Sequence, residues 1–446
     1  MTRVVITGAG GMVFPLTLAA DFLASAQLRG AELVLHDIDA ARAERTANAV
    51  RGVADHHALP LKLVVTADRR EALAGATHVL ITFQVGGLDA YRSEVEISRR
   101  YGLDFVAGDT LGPGGILRFL RSTPAFDALA RDVLDLCPDA LVLNYTNPMA
   151  MNCAYLARLG LNVVGLCHSI PGTAKMLSGL LSVPFEELDY EAAGINHQAW
   201  FVTLRHAGED LNPRLKRLLR ETFLPEYGGF TAFQEGGPAY QGGQERVRAE
   251  MMETFGYFLS ESSHHASELV PYFRKSRESV VAHLPRRWDY LKGSLQTAGQ
   301  EARTTSDAVA ELRGKLAVSD EFGMRIVAAH ASGEPASVYG NVLNDGFIDN
   351  LPSDACVEVP CIVDGDGVKP KAIGRLPSAC AGLNLTAVAV QTTVVEAAAN
   401  HDPEALRAAF ALDPLTASVV DLPDIRALAA ESIGAQRRWL PQWVRG

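Results

Sequence analysis

A cysteine and two histidines stand just past two strand-like segments of the sequence. Cys167 and His168 follow NVVGL, and His197 follows the next apolar segment, EAAGIN. The carboxyl ends of strands are where open α/β sheets bind their substrates. A thiolate and an imidazole suit a transition metal, and two protein ligands would leave positions for substrate oxygens and water. Spacing alone favours a plainer interpretation, a buried thiol and a hydrogen-bonded core histidine.

A glycine-rich turn separates the first predicted strand from the first predicted helix. Gly8, Gly10 and Gly11 in ITGAGGMVF would let a pyrophosphate approach the backbone at a helix N-terminus. Val13 replaces the third glycine of the usual fingerprint, so the motif alone is not specific. Asp37 ends the second predicted strand, where an acidic side chain would hold ribose hydroxyls and disfavour a 2′-phosphate. Together these features predict NAD binding; the alternative is a plain glycine turn with a solvated aspartate.

Three further polar residues are ambiguous when each is taken alone. Asp109 precedes a glycine-rich turn in GDTLGPGG, and Asn147 precedes a proline in NYTNPM, where a turn or cap role is the default. Tyr257 lies in the apolar stretch FGYFLSESSHH and by default belongs to the core, with its hydroxyl bonded to a partner. None of the three predicts a function without the others.

Strand-like and helix-like segments alternate in the first part of the chain. The predicted strands are RVVIT, AELVLHD, LKLVV, HVLITF, ALVLNY and NVVGL, at residues 3–7, 31–37, 61–65, 78–83, 140–145 and 162–166. Such alternation favours a parallel sheet that helices cover on both faces. We therefore predict a doubly wound, Rossmann-type α/β domain over residues 1–194.

The pattern changes after residue 194, and one α+β domain is predicted over residues 195–446. Helical stretches are expected at 215–255 and 285–330, and a helix-rich end at 379–443. Between them, residues 337–370 are rich in Gly, Pro and Asp, which predicts loops and antiparallel strands.

Composition excludes several classes of protein. The 446 residues include 41 Lys and Arg against 52 Asp and Glu, a formal charge of −11. A net acidic chain is a poor candidate for binding nucleic acid or an anionic membrane. No run of ~18 apolar residues predicts a membrane span, and no signal segment opens the sequence, so a cytoplasmic protein is expected. The six cysteines are irregularly spaced, which predicts buried thiols and no disulfide framework.

Taken together, these motifs closely resemble glycoside hydrolase family 4, and within it the α-galactosidase (melibiase) branch. The segments that carry the resemblance are GAGG, TFQVGG, GDTLGPGG, NYTNPMAMN, GLCHS, GINH, GYFLSESSHH, YGNVLNDGFIDNLP and VEVPCIVD, and their order agrees over nearly the whole chain. The resemblance implies a fold similar to lactate and malate dehydrogenases, with a C-terminal domain for substrate binding and oligomerisation. A homodimer or homotetramer is expected from the same resemblance.

The resemblance also implies a reaction that uses NAD and a divalent metal, usually Mn²⁺, to cleave an unphosphorylated α-galactoside. NAD would take a hydride from C3 of the sugar, and the ketone would acidify the proton at C2. After a base removes that proton, a metal-stabilised enediolate would expel the aglycone. Water would then add, and the retained NADH would reduce C3 again, so that NAD is not consumed.

Individual residues match the family as follows. Cys167 and His197 match the metal ligands. Tyr257 lies where the family has the tyrosine base that takes the C2 proton, and His168 is a candidate general acid. Asp109, taken as catalytic, matches a sugar- or metal-site position. The predicted cofactor-binding residues are Gly8, Gly10, Gly11, Asp37, Gln84 and Asn147, of which Asn147 also matches a sugar- or metal-site position.

The sequence departs from the family at three places. Gly11 replaces a serine of the phosphate loop, Leu343 stands where the melibiase branch tends to have arginine, and His264 stands where a glutamate usually precedes the histidine. A neighbouring basic run points to an alternative substrate: Arg274, Lys275 and Arg277 could recognise an anionic sugar such as a uronide or a sulfosugar. Basic residues in such a run more commonly form a solvated surface.

Two other functions remain open at this stage. A 2-hydroxy-acid dehydrogenase would share the cofactor domain, but it would leave Cys167 and His197 unexplained. A non-catalytic NAD-sensing protein would bind the dinucleotide and hydrolyse no glycoside. A requirement for NAD without net consumption of NAD separates the glycosidase from both.

Overall fold

A computed structural model describes residues 1–224, 245–286 and 288–445 of the chain. The strands in those ranges are β1 (Arg3–Thr7), β2 (Glu32–His36), β3 (Lys62–Thr66), β4 (His78–Ile81), β5 (Leu141–Asn144), β6 (Val163–Gly165), β7 (Asp189–Ile195), β8 (Gln198–His206), β9 (Glu209–Asp210), β10 (Phe258–Leu259), β11 (Ala336–Leu343), β12 (Cys356–Asp364) and β13 (Gly367–Pro370).

The helices in the same ranges surround the sheet. They are α1 (Pro15–Ala24), α2 (Ala40–His56), α3 (Arg69–Leu73), α4 (Gly87–Arg100), α5 (Gly112–Leu136), α6 (Met149–Arg158), α7 (Ser169–Leu181), α8 (Asn212–Thr222), α9 (Arg246–Phe255), α10 (Ser263–Ala266), α11 (Arg277–His283), α12 (Tyr290–Thr297), α13 (Glu301–Gly314), α14 (Gly323–Ser332), α15 (Ser378–Asn400), α16 (Pro403–Leu412), α17 (Pro414–Val419), α18 (Leu422–Gln436) and α19 (Gln442–Arg445).

The first six strands form the predicted doubly wound sheet. They lie in the order β3-β2-β1-β4-β5-β6, and every neighbouring pair among them is parallel. Every residue of β4 and β5 is buried, as expected for strands that helices cover on both faces. All six strands were predicted from the sequence, with bounds that agree to within one or two residues. The predicted α/β fold class is therefore confirmed.

Strands of the second part extend the same sheet. The antiparallel pair β11 and β12 joins β6 through Asn341 opposite Gly165, and joins β7 through Glu358 opposite Gly194. β8 and β10 continue the sheet beyond β7. The antiparallel strands predicted for residues 337–370 are thus confirmed as β11 to β13. The predicted domain boundary after Gly194 falls inside β7, and the two-domain division stays a prediction.

Helices make up most of the remaining second part. The stretch predicted at 215–255 contains most of α8 and all of α9, while its residues 225–244 lie outside the described residues. The stretch predicted at 285–330 contains α12, α13 and most of α14, and the helix-rich end comprises α15 to α19. Among the described residues, α15 alone is long and apolar enough to span a bilayer, and 56% of its most apolar window is buried within the fold.

Candidate active site

Three loops bring polar side chains together at one end of the sheet. Cys167 lies two residues after the end of β6, and Glu261 two residues after the end of β10. His197 is the second residue of the two-residue turn between β7 and β8, where it takes a left-handed φ of 62°. That conformation costs a non-glycine residue of order 1–3 kcal/mol, and such strain concentrates at functional sites.

Donor atoms of these three residues form a compact group. A ligand atom from each of Cys167, His197 and Glu261 lies within 4.8 Å of the other two, and Nε2 of His197 is 3.6 Å from Oε2 of Glu261. A thiol, an imidazole and a carboxylate together suit Mn²⁺, Zn²⁺ or a similar divalent ion. The structure thus brings together the two residues predicted as metal ligands, and adds Glu261 as a third donor that the sequence analysis did not identify.

The ionisation of this group fits a cation site. Burial raises the pKa of the Cys167 thiol, so the thiol stays protonated unless a cation stabilises the thiolate. Burial would also raise the pKa of Glu261, but His197 and His265 beside it outweigh burial and lower that pKa. A negative carboxylate and a potential thiolate at one buried point call for a positive charge between them.

Asp109 lies in a polar cluster next to this group. Burial would raise the pKa of Asp109, but His265 and Arg118 hold it down at about 2. Oδ2 accepts a hydrogen bond from Nδ2 of Asn147 at 3.0 Å and lies 3.7 Å from the Arg118 guanidinium. The predicted residues Asp109 and Asn147 are therefore in direct contact, and Asp109 is an ionised acceptor.

Through one hydroxyl, Thr110 links Asp109 to the group of Cys167, His197 and Glu261, which is called the metal group below. Oγ1 of Thr110 lies 3.0 Å from Oδ1 of Asp109, 2.9 Å from Nδ1 of His197 and 2.9 Å from Nε2 of His265. An ionised carboxylate can only accept a hydrogen bond, so the hydroxyl of Thr110 donates its one proton to Asp109. The imidazoles of His197 and His265 must then each donate a hydrogen bond to Oγ1 of Thr110. His197 then carries its proton on Nδ1, which leaves Nε2 free to bind a cation.

His168 stands at the open side of the site. Its side chain is 63% exposed, and its Nδ1 lies 3.4 Å from Oε1 of Glu321. The hydrogen bond to Glu321 is the largest cause that raises the pKa of His168, to about 9. An imidazolium that is solvent-accessible and held by a carboxylate can donate a proton to a bound substrate.

Tyr257, the predicted base, is not part of this group. It precedes β10 and, like Phe255, packs against the apolar cluster that includes Trp200. The predicted role of Tyr257 as a base stays a prediction, and the packing of its ring does not support it.

The glycine-rich turn has the geometry that its sequence predicts. Gly8 has φ of 83°, and a Cβ there would lie 2.6 Å from the backbone nitrogen of Phe83. Gly10 donates its N–H to Oδ2 of Asp37 at 2.9 Å, and Gly11 donates to the carbonyl of Gly8 at 2.9 Å. These hydrogen bonds place Asp37 against the loop, which leads directly into α1.

Exposed apolar side chains lie beside this turn. Val13 is 62% exposed and Ile38, the residue after Asp37, is 92% exposed. An apolar surface next to the loop suits the adenine ring of a dinucleotide. The predicted residue Gln84 is exposed near the end of β4, where its side chain is 3.4 Å from the carbonyl of Gly87.

Arg274 is buried and hydrogen-bonded within the fold. It is 1% exposed, and its guanidinium donates to the carbonyls of Asp104 and His264 and, at 2.7 Å, to Oγ of Ser267. These bonds use the Arg274 guanidinium inside the fold and do not support a role in binding an anionic sugar, so that role stays a prediction for the run of Arg274, Lys275 and Arg277. Lys275 is exposed at the surface.

Comparisons with known proteins cover almost the whole chain. The family model described as family 4 glycosyl hydrolase matches residues 3–183, and that of the family's C-terminal domain matches residues 192–416. An α-galactosidase of Bacillus subtilis is 34% identical over 447 residues, 99% of this chain and all of its own length. An α-galactosidase of Rhizobium meliloti is 32% identical over 99% of this chain and 90% of its own length.

Other relatives differ in the substrate that their names give. An α-galacturonidase of Thermoanaerobacterium saccharolyticum is 29% identical over 84% of this chain and 82% of its own length. The crystal structure of a putative glucosidase from Bacillus subtilis superposes with a TM-score of 0.84, at 25% identity over 97% of this chain and 99% of its own. A 6-phospho-α-glucosidase from gut microorganisms, solved with NAD and Mn²⁺, gives 0.80 at 24% identity over 99% of each chain.

Proposed function

This chain belongs to family 4 of the glycosyl hydrolases, and on that premise we propose that it hydrolyses α-galactosides with bound NAD and a divalent transition metal. The observation that carries the proposal is the group of Cys167, His197 and Glu261 at the carboxyl end of the sheet, in contact through Thr110 with Asp109. The two α-galactosidases related over nearly the full chain support galactose as the sugar.

The residues present fit both cofactors. Cys167, His197 and Glu261 would hold the metal, and the loop from Gly8 to Gly11 with Asp37 would hold NAD. When bound, NAD accepts and returns a hydride while the metal stabilises negative charge that develops on the sugar oxygens. A solved structure with this fold holds the same two groups.

The side chains around the metal group have separate tasks. Asp109 and Asn147 present an ionised carboxylate and an amide that can bind sugar hydroxyls, and Arg118 balances the charge of Asp109. His168 donates a proton to the oxygen of the departing aglycone, and Glu321 keeps that imidazole protonated and oriented. The fold excludes water from Thr110 and His197, so the hydrogen bonds between them act at low dielectric.

The relatives favour a neutral sugar, because the two α-galactosidases are similar over nearly the full chain. Both signs of charge line the site: the Asp109 and Glu261 carboxylates have lowered pKa values, and the Arg118 guanidinium and the His168 imidazolium face them. The preference for galactose therefore rests on the relatives, and the α-galacturonidase among them makes an anionic sugar the alternative. The cytoplasmic location and the dimeric or tetrameric state stay predictions.

The proposal is tested by a substrate screen on the purified protein. Nitrophenyl α- and β-galactoside, glucoside, galacturonide and sulfoquinovoside are assayed with and without NAD, Mn²⁺ and a thiol reductant. We expect the α-galactoside to be hydrolysed only when NAD and Mn²⁺ are both present, with no NADH accumulating. We expect Cys167→Ser to abolish the effect of the metal. Hydrolysis without NAD contradicts the mechanism, and a preference for the galacturonide contradicts the sugar.

A further inference from the structure

A row of four paired residues crosses the sheet where two of the strands end just before Cys167 and His197. Gly165 of β6 pairs with Asn341 of β11, Asn341 pairs with Glu358 of β12, and Glu358 pairs with Gly194 of β7. Cys167 follows Gly165 by two residues, and His197 follows Gly194 by three. The strands that carry the two predicted ligands are therefore joined through the pair Asn341 and Glu358.

This pair is fully buried and incompletely hydrogen-bonded. Asn341 and Glu358 each have no exposed surface, and Nδ2 of Asn341 donates to Oε1 of Glu358 at 3.2 Å. In the part of the chain that the structure describes, Oε2 of Glu358 and Oδ1 of Asn341 have no hydrogen-bond partner. A buried carboxylate oxygen without a donor is costly, so an orphaned one calls for a bound group that the side chains do not supply.

The strand register brings Glu358 near the metal group, because it pairs directly with Gly194 and, through Asn341, is joined to Gly165. Burial is the largest cause that raises the pKa of Glu358, Cys167 is the next, and His197 opposes both. Glu358 is nevertheless absent from the group of donors that lie within 4.8 Å of one another among the described residues. Its oxygen is thus close to the site but outside the shell of direct ligands.

We propose that Glu358 is a positioning residue for the metal site, whose free oxygen accepts a hydrogen bond from a water molecule that completes the coordination of the cation. This inference rests on the proposed function, because it requires that Cys167, His197 and Glu261 hold a metal. A water on a cation turns both protons outward, and only an acceptor can bind them. The positive charge of the bound cation favours the ionised form of the buried Glu358, whose carboxylate then supplies that acceptor, and Asn341 holds the carboxylate in place.

Glu358→Gln is a sharp test because it changes one atom. The amide keeps the size of the side chain, and its oxygen can still accept from Asn341. Its NH₂ group then takes the place of the free carboxylate oxygen. Because this group is a donor, it cannot accept a hydrogen bond from the water. Partners in the outer shell of metal sites typically contribute 10–100-fold to metal affinity. Glu209→Gln, at an exposed carboxylate on β9, is the matched control.

The measurement is a titration of the full-length protein with Mn²⁺ in which electron paramagnetic resonance follows the free ion. We expect Glu358→Gln to raise the Kd for Mn²⁺ by at least about tenfold. The relaxation of water protons by the bound Mn²⁺ should also decrease, which a purely structural residue would not cause. NADH affinity, thermal unfolding without metal and the Glu209→Gln control should stay unchanged. Glu358→Asp, which keeps the acceptor, should bind Mn²⁺ more tightly than the glutamine variant.

Two results overturn the inference. A Kd within twofold of the unsubstituted protein shows that Glu358 does not act on the metal. An equal loss of NADH binding and of thermal stability shows that Glu358 acts on the fold. Cys167→Ser distinguishes a failure of this inference from a failure of the proposed function. If Cys167→Ser no longer binds Mn²⁺ and Glu358→Gln still does, only the role of Glu358 is wrong. If the unsubstituted protein binds no Mn²⁺, both proposals are wrong.

Discussion

The hydroxyl of Thr110 lies 2.9 Å from Nδ1 of His197, on the side of the imidazole ring opposite the nitrogen that faces Glu261. The same hydroxyl contacts Asp109, whose ionised carboxylate can only accept a hydrogen bond. One neutral hydroxyl therefore fixes both the orientation and the tautomer of the histidine that is proposed to bind the metal, and links it to the residue that is proposed to bind the sugar.

Thr110→Val is expected to weaken metal binding because it keeps the shape of the side chain and removes the hydroxyl. His197 then loses the acceptor that holds its proton on Nδ1, and Nε2 is no longer reserved for the cation. We expect the Kd for Mn²⁺ to rise by about 10–100-fold, measured by the same titration. Thr110→Ser keeps the hydroxyl and should stay within about threefold; an equal loss in both variants would show that the methyl group matters instead.

Glu261→Gln tests the donor that the sequence analysis did not identify. The variant keeps the side-chain volume and removes one negative charge from a group in which His197 and His265 hold the carboxylate ionised. We expect the affinity for Mn²⁺ to fall by at least about tenfold, with NADH binding unchanged. Glu253→Gln, at a partly exposed carboxylate on α9, is the control. Unchanged metal affinity would leave Cys167 and His197 as the complete set of protein donors.

Local patterns in the sequence predicted the sheet and part of the site. Each parallel strand contains a short apolar run, so its position is visible from the run alone; β4 and β5 are buried along their whole length, whereas β3 at the sheet edge is not. Cys167 and His197 were identified because each follows such a segment. Glu261 lies in the segment ESSHH, where nothing local distinguishes it from an exposed glutamate. Its role depends on β10 pairing with β8, which brings Ser260 to Ala199 and so places Glu261 near His197.

Long-range register explains what the sequence could not show. Glu358 reaches the metal group only because β12 pairs with β7 at Gly194, a partner more than 160 residues away in the chain. The role of Tyr257 stays a prediction, since its segment matches the family while its ring packs against an apolar cluster. Which of two neighbouring residues in a strand faces the site depends on the direction of its side chain. That direction follows from the alternation of side chains along the strand and is not visible in the composition.

Glu268→Gln should disturb the site without touching it. The Glu268 carboxylate accepts hydrogen bonds from three successive backbone N–H groups, those of Val106, Ala107 and Gly108, and so fixes the loop that leads to Asp109. An amide cannot accept all three, and each buried donor left unpaired costs about 1–3 kcal/mol. We expect kcat/KM to fall by at least about tenfold while NADH affinity is unchanged. Glu209→Gln should have no effect, and full activity of Glu268→Gln would show that the loop is held by other contacts.

His168→Ala is expected to slow substrates according to their leaving groups. A general acid matters most when the departing oxygen is basic, and it contributes about 10²–10⁴-fold in such reactions. We expect a loss of about 100-fold with methyl α-galactoside and of less than about tenfold with a dinitrophenyl α-galactoside. Lys175→Ala, at a partly exposed position on α7, is the control. Equal losses for both substrates would remove His168 from proton transfer.

His78→Gln should make the protein less sensitive to acid. His78 begins β4, is buried, and has Nε2 2.9 Å from Nδ1 of His330. Burial, followed by the neighbouring His330, lowers the pKa of His78 to about 3, whereas an unfolded histidine titrates near ~6.5. Between pH 6.5 and pH 3, His78 binds a proton in the unfolded chain but not in the folded chain. The free energy of unfolding therefore decreases as the pH falls from about 6.5 towards 3. At pH 5 this amounts to about 2 kcal/mol.

The glutamine variant cannot bind that proton in either state, so its free energy of unfolding should fall less between pH 7.5 and pH 5. Urea denaturation at the two pH values measures the difference, which should be smaller by about 2 kcal/mol in the variant. The absolute stability at pH 7.5 can decrease, because the contact with His330 changes, but only the difference between the two pH values tests the argument. His56→Gln, at an exposed position in the last turn of α2, should leave the difference unchanged. An equal pH response in His78→Gln and the unsubstituted protein would show that His78 is protonated in the folded state at pH 5.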